Sequence, residues 1–243
     1  MLFDKQYDLI FGIGGACSCT QILRKCRLQF YTYPFDWLFG ADIVTRANIV
    51  ADDFAHFIDR EDLEDTGRNN GDVNNLCQVY HDTRNDITFN HDFACGKPLA
   101  ETYDGVKEKY DRRIRRLTSQ IESSENVLAV YLQIPNDPEE VPDAVLREAR
   151  AILKAKFPRQ NVDLLYLFCL HGNKNFSCRQ LQEGLMKVEY DYDAYDANVP
   201  YAVDNEILQP HLCKLKLSNK FITRKNICRR YIYLVRCFFR GML

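Results

Sequence analysis

The sequence predicts an α/β fold of three layers, with a small, mostly parallel central sheet and a polar insertion above it. Three observations carry this expectation. Tyr7–Ile13, Val127–Ile134 and Val162–Leu170 are short, apolar and rich in branched or aromatic residues, the pattern of strands covered on both faces. Between the second and third lies 139–157, where Val141, Ala144, Val145, Ala149, Ile152 and Leu153 form a helical stripe. The stretch from Asp52 to Gly96 breaks this pattern, being acidic at first and then rich in glycine and asparagine.

Taken in order, the first strand ends in a glycine turn, Gly12-Ile13-Gly14-Gly15, and a helix is expected from Cys17 to Leu28. In the insertion, Thr66–Asp72 reads as an exposed loop because it strings together glycine, asparagine and aspartate. A further helix is expected over Tyr103–Ile121, with Val106, Tyr110, Ile114, Leu117 and Ile121 on one face. The run Arg112, Arg113, Arg115, Arg116 occupies much of the rest, either as a solvated face or as an anion site. Pro142 suits the first turn of the next helix and Pro158 follows its end. That strand–helix–strand unit is of the length that joins parallel strands by a right-handed crossover. Lys187–Tyr192, with its acidic residues, reads as a fourth strand at the sheet edge.

With 46% apolar residues in 243, the chain can bury a sizeable core. No run of about 18 apolar residues occurs, so no membrane-spanning helix is expected. Met1-Leu2-Phe3-Asp4-Lys5 lacks the layout of a secretory signal, which makes the expected location cytoplasmic. The ten cysteines are then expected to be reduced. None stands in a CxxC pair, and neither a metal nor another cofactor is expected.

The net charge of −2 hides an asymmetry. Residues 211–243 hold nine Lys and Arg and no Asp or Glu, leaving 23 of the 32 basic residues against all 34 acidic ones elsewhere. The chain accordingly divides into an α/β domain, residues 1–210, and a basic amphipathic tail, residues 211–243. The tail suits an anionic inner-membrane surface or docking on the acidic body. No nucleic acid is expected, since no reading motif accompanies the charge.

A thiol at the first turn of a helix faces unpaired backbone N–H groups and the positive end of the helix dipole. Cys17 is therefore expected to have a lowered pKa and to act as a nucleophile, with the neighbouring N–H groups available to an oxyanion. Such a nucleophile needs a base and a group to orient that base. His91 is the leading candidate, set in Phe89-Asn90-His91-Asp92-Phe93. His171, at the carboxyl end of the third strand, is its rival. Asp36 lies between aromatics in Pro34-Phe35-Asp36-Trp37 and needs a partner, either His91 or Arg24.

Gly14-Gly15-Ala16-Cys17, Leu23-Arg24, Pro34-Phe35-Asp36-Trp37 and Phe89-Asn90-His91-Asp92-Phe93 together resemble a bacterial family labelled putative papain-like cysteine peptidase. Its members are often encoded near surface-polysaccharide genes. The resemblance spans roughly residues 7–134. It implies that Cys17 is the nucleophile, His91 the base and Asp36 the orienting residue, with Cys19 left to packing. The strand–glycine turn–nucleophile–helix layout also resembles esterase and acyltransferase folds with a small parallel sheet. The expected function is a cysteine hydrolase or acyl transferase linked to surface-polysaccharide biosynthesis. Its substrate is a small molecule, glycan or peptide, with Gly15, Arg24, Trp37, Asn90, Asp92 and His171 around it. The competing expectation is a non-enzymatic module that binds anions or a membrane surface in glycan assembly.

Overall fold

A computed structural model describes residues 2–71, 76–133, 139–171, 176–192 and 205–240, with residues 171, 192 and 240 described in their backbone alone. In chain order the elements are β1 (Gln6–Tyr7), β2 (Leu9–Gly12), α1 (Cys17–Lys25), β3 (Leu38–Gly40), α2 (Ile43–Ala51), β4 (Leu63–Asn70), β5 (Cys77–Asp82) and β6 (Ile87–Ala94). They continue with α3 (Leu99–Glu122), β7 (Asn126–Leu132), α4 (Asp143–Lys156), β8 (Asn161–His171), β9 (Ser177–Gln182), β10 (Leu185–Tyr192), α5 (Leu208–Leu212), β11 (Lys216–Leu217) and α6 (Arg224–Arg240). Two short 3-10 turns precede β1 and β4.

The central sheet has the order β2-β7-β8-β10-β9, parallel throughout except for the antiparallel edge strand β9. Alternate residues serve two cores. Leu9, Phe11, Val127, Ala129, Leu164 and Tyr166 face the core shared with α2, α3 and α4. Ile10, Leu128, Val130, Leu165, Leu167 and Val188 face the core shared with α1 and α5. Both faces are covered, which is why these strands read as unbroken apolar runs. The fold is a three-layer α/β arrangement.

β10 is not the edge strand that its acidic residues suggested, because it lies between β8 and β9. Leu185, Met186, Val188 and Tyr190 are buried. Lys187, also buried, is neutralised by Glu140 and by Glu189 at 2.6 Å. A buried ammonium is tolerable only with such partners.

The insertion forms a second sheet, and of the expected loop Thr66–Asp72 the last residue lies outside the described residues. The antiparallel order of this sheet is β3-β6-β5-β4, and the segment Thr66–Asn70 belongs to β4. Two bulges bend it. Tyr80 pairs with Phe89 and Gln78 with Phe93, so β6 carries two extra residues around His91. On the other side of β5, Tyr80 pairs with Asp65 and Gln78 with Asn69, so β4 bulges as well. Bulges re-aim side chains and concentrate near functional sites. The tail divides in two. Leu212, Leu215 and Leu217 are buried in the second core and β11 pairs with β1, whereas α6 stands largely exposed.

Candidate active site

The turn after β2 extends the sheet before it breaks away. Ile13 donates its N–H to the Val130 carbonyl at 2.9 Å and Gly15 to that of Leu132 at 3.2 Å. Gly14 between them runs so close to β7 that a Cβ there would sit 2.3 Å from the Leu132 nitrogen and 2.8 Å from the Tyr131 Cα. Only glycine fits. Ala16 is extended and gives α1 no side-chain cap, and of the first-turn N–H groups that of Cys19 turns to the Ala16 carbonyl at 3.2 Å. Cys17 is the first helical residue and is half-buried.

The expectation of a lowered thiol pKa is overturned. Burial pushes the Cys17 thiol up, and it outweighs the Ser18 hydroxyl and the Cys17 and Ser18 amides that pull it down. The thiol therefore stays protonated in the resting protein and needs a base. Cys19 packs as expected. It is buried, its thiol meets the Val130 carbonyl at 3.3 Å, and burial raises it to about 12.

Cys17, Thr20 and Arg24 follow at i, i+3 and i+7, so they share one face of α1. That face meets the Pro34–Trp37 segment. The Thr20 hydroxyl donates to Asp36 Oδ1 at 2.8 Å. Asp36 Oδ2 accepts from Gln29 Nε2 at 2.8 Å, from the Tyr33 N–H at 2.9 Å and from Arg24 Nη2 at 3.5 Å. The Arg24 guanidinium lies 5.5 Å from the centre of the Trp37 ring, and Trp37 meets His91 edge-on at 6.5 Å between centroids. Arg24, Asp36, Trp37 and His91 thus form one chain of contacts. Asp36 enters it through the helix arginine, and its four bonds are made within the α1–Pro34 corner rather than to the imidazole. Burial pushes the carboxyl up while these donors draw it down.

His91 stands exposed at the β6 bulge. Its Nδ1 accepts from Asn70 Nδ2 at 3.1 Å, and the same amide donates to the Asn90 carbonyl at 3.1 Å. The neutral ring therefore carries its proton on Nε2, as assigned from this donor pattern. The other described imidazoles are held elsewhere: His56 by Asp59, His81 by Thr88 and Asp86, and His211 by the Ile207 carbonyl and the Phe176 ring. Asp92 does not join the site. Lys109 and Tyr110 of α3 take its two oxygens, at 2.5 and 2.9 Å, so it clamps α3 to β6. Asn90 contributes its carbonyl to the Asn70 contact. Gly15 contributes its N–H to Leu132, which removes that donor from any oxyanion. The β8 backbone ends at His171, paired with Tyr192, and the His171 side chain lies outside the described residues.

Two residues at this site escaped the sequence reading. Asn70 sits in a stretch that reads as a turn. Arg46 lies on α2, fully buried, and donates to the carbonyls of Ile13 and Gly14 at 3.3 and 3.4 Å. It also donates to Leu38, Gly40 and Ala41 at 3.4, 2.6 and 3.1 Å, and its guanidinium lies 5.3 Å from the Phe35 ring centre. Burial lowers its pKa to about 10, and it still remains charged at neutral pH. Its signal was available: in Ile43-Val44-Thr45-Arg46-Ala47, position 46 falls on the apolar face with Ile43, Ala47 and Val50.

A cleft of about 440 Å³ lies elsewhere, between α2 and the β5–β6 turn, lined by Asn48, Asp52, His56 and Arg84 among others. Among the described residues no cluster of three or more His, Cys, Asp or Glu is placed to hold a metal ion. None of their helices is long and apolar enough to cross a membrane. No curated protein and no solved structure matches the chain. One family does: its description is putative papain-like cysteine peptidase, and it matches residues 8–172, which carry the glycine turn, α1, the Pro34–Trp37 segment, the second sheet, β7 and β8. The match covers well over half of the 243 residues, and the chain belongs to the family so described.

Proposed function

We propose that the protein is a cysteine-nucleophile hydrolase in which Cys17 attacks an acyl carbon and His91 moves the proton. The observation that carries this reading is the shared face of α1. It presents Cys17 in line with Thr20 and Arg24, which lead through Asp36 and Trp37 to the imidazole. Family membership supports the same chemistry.

In the first step the Cys17 sulfur forms a bond to the acyl carbon as its proton passes to His91 Nδ1 in exchange for the Asn70 donor. The bond from that carbon to the leaving oxygen or nitrogen breaks, and the leaving group takes the proton. The Cys17 and Ser18 N–H groups, which lie against the sulfur, would hold the oxyanion. A water then gives its proton to His91, attacks the thioester and releases the acid and the thiol. A sugar hydroxyl in place of that water makes the same machinery an acyl transferase. This is how the reading extends to surface-polysaccharide work. Asp36 fixes the corner that carries Trp37, and Arg24 and Trp37 border the approach to the imidazole.

Site-resolved alkylation by iodoacetamide, read by mass spectrometry, tests the assignment. His91→Ala is expected to slow Cys17 at pH 7 by about a hundredfold, the low end for a general base, and to leave the other cysteines unchanged. Equal Cys17 rates in both proteins across pH 6–9 would overturn it. Turnover of activated esters with and without sugar-alcohol acceptors, with Cys17→Ser as the blank, then separates hydrolysis from transfer.

A further inference from the structure

Six large hydrophobic side chains are exposed among the described residues, and five of them belong to α6: Tyr231, Ile232, Val235, Phe238 and Phe239. Each is more than half exposed. At about 100° per residue they fall in one stripe roughly 120° wide. The opposite side of the helix is docked on the body. There Arg230 donates to Asn219 at 3.2 Å, Tyr233 accepts from Gln209 at 2.7 Å, and Cys237 lies 3.2 Å from Cys213. The apolar stripe is therefore not what holds α6 in place. Along one border it is lined by Lys225, Arg229 and Arg236, all exposed.

We propose that α6 is a membrane-docking helix, lying flat on an anionic lipid surface with its aromatic stripe at the level of the headgroups and its basic border on the lipid phosphates. Charge decides among the occupants. A second copy packed face to face would bring the same basic border against itself, with no acidic residue in 211–243 to compensate. An anionic bilayer matches both the apolar stripe and the positive flank. It also repels the rest of the chain, which carries the acidic excess, and so orients the protein with α6 toward the surface. Such a helix lies on the membrane rather than crossing it, since α6 is too charged and too short to span.

The test is sedimentation of the full chain with lipid vesicles, either neutral phosphatidylcholine or the same with about 30% phosphatidylglycerol. Three border charges, at about fivefold each, predict about a hundredfold tighter binding to the anionic vesicles, lost at high salt. Phe238→Ser with Phe239→Ser is expected to weaken binding at least tenfold without changing the melting temperature, because both rings are in solvent. Cys17→Ser is expected to bind as the native chain does, so the result is independent of the catalytic reading. Equal binding to neutral and anionic vesicles would overturn the proposal. So would binding that the double variant leaves intact, which would mark a polyanion contact without insertion. A dimer that the double variant dissolves, with no vesicle binding, would assign the stripe to a second copy instead.

Discussion

Replacing Asp36 separates a framework role from an imidazole-orienting one. The side chain is fully buried and accepts from Thr20, Gln29, Tyr33 and Arg24, three of these at 2.8–2.9 Å. Asp36→Asn keeps one acceptor oxygen, which can hold Gln29 Nε2 and the Tyr33 N–H, and turns its amide to Thr20, whose hydroxyl can rotate to accept. What is lost is the charge on the remaining bonds, partly offset because a carboxylate no longer needs to be desolvated. The expected cost is about 1–2 kcal/mol. Asp36→Ala strands the Gln29 amide and the Tyr33 N–H inside the protein, for about 3–5 kcal/mol. For a chain of this size each kcal/mol lowers Tm by about 2–4 °C. Calorimetry at pH 7 should therefore place the asparagine variant about 3–6 °C below the native protein and the alanine variant about 10–15 °C below. In the folded asparagine variant, Cys17 alkylation should stay within about threefold of native. Two variants that both melt within a degree of the native protein, yet lose Cys17 reactivity as His91→Ala does, would refute the framework role.

Burial raises the Cys17 thiol, so with the base removed in His91→Ala its alkylation rate should climb with pH to a midpoint above the ordinary thiol value. Cys213 should behave oppositely, because donors from Cys26 and Cys237 hold it below that value; site-resolved labelling over pH 6–10 checks both. Gly14→Ala must push its Cβ into the β7 backbone and should cost about 2–4 kcal/mol in urea unfolding. Gly105→Ala, in α3 with open space around it, should gain about 0.5–1 kcal/mol. Arg46→Met removes five carbonyl contacts at once and should destabilise by about 3–5 kcal/mol in the same assay; a loss below 1 kcal/mol would show those carbonyls to be served by other donors.

The central sheet was legible because both its faces are buried. A continuous apolar run such as Val127–Leu132 is too short for a buried helix and too uniform for a half-solvated strand, so it points to a strand covered on both sides. The stripes of α3 and α4 follow a plain 3.6-residue period. The second sheet was not legible. Its strands are half solvated, and its bulges shift the alternation, so that Thr66-Gly67-Arg68-Asn69-Asn70 carries turn chemistry while pairing as a strand. At the site, Cys17 and His91 could be singled out from their motifs. Whether burial or the helix terminus wins at the Cys17 sulfur depends on packing, which no local pattern records. The same holds for Asp36 and Asp92. A carboxylate among aromatics signals a need for a partner, but the partners, Gln29 on a following loop and Lys109 on a distant helix, are chosen by the fold.

The Arg46 guanidinium grips Ile13 and Gly14, which continue one sheet, and Leu38 and Gly40, which belong to the other. It works as a rivet between the plate that bears the sulfur and the plate that bears the imidazole. Sliding one plate past the other would leave a charged group in a dry interior with nothing to bind. The two halves of the chemistry are thereby bound to melt together, and heat should abolish the His91-dependent part of Cys17 reactivity and compactness in a single step.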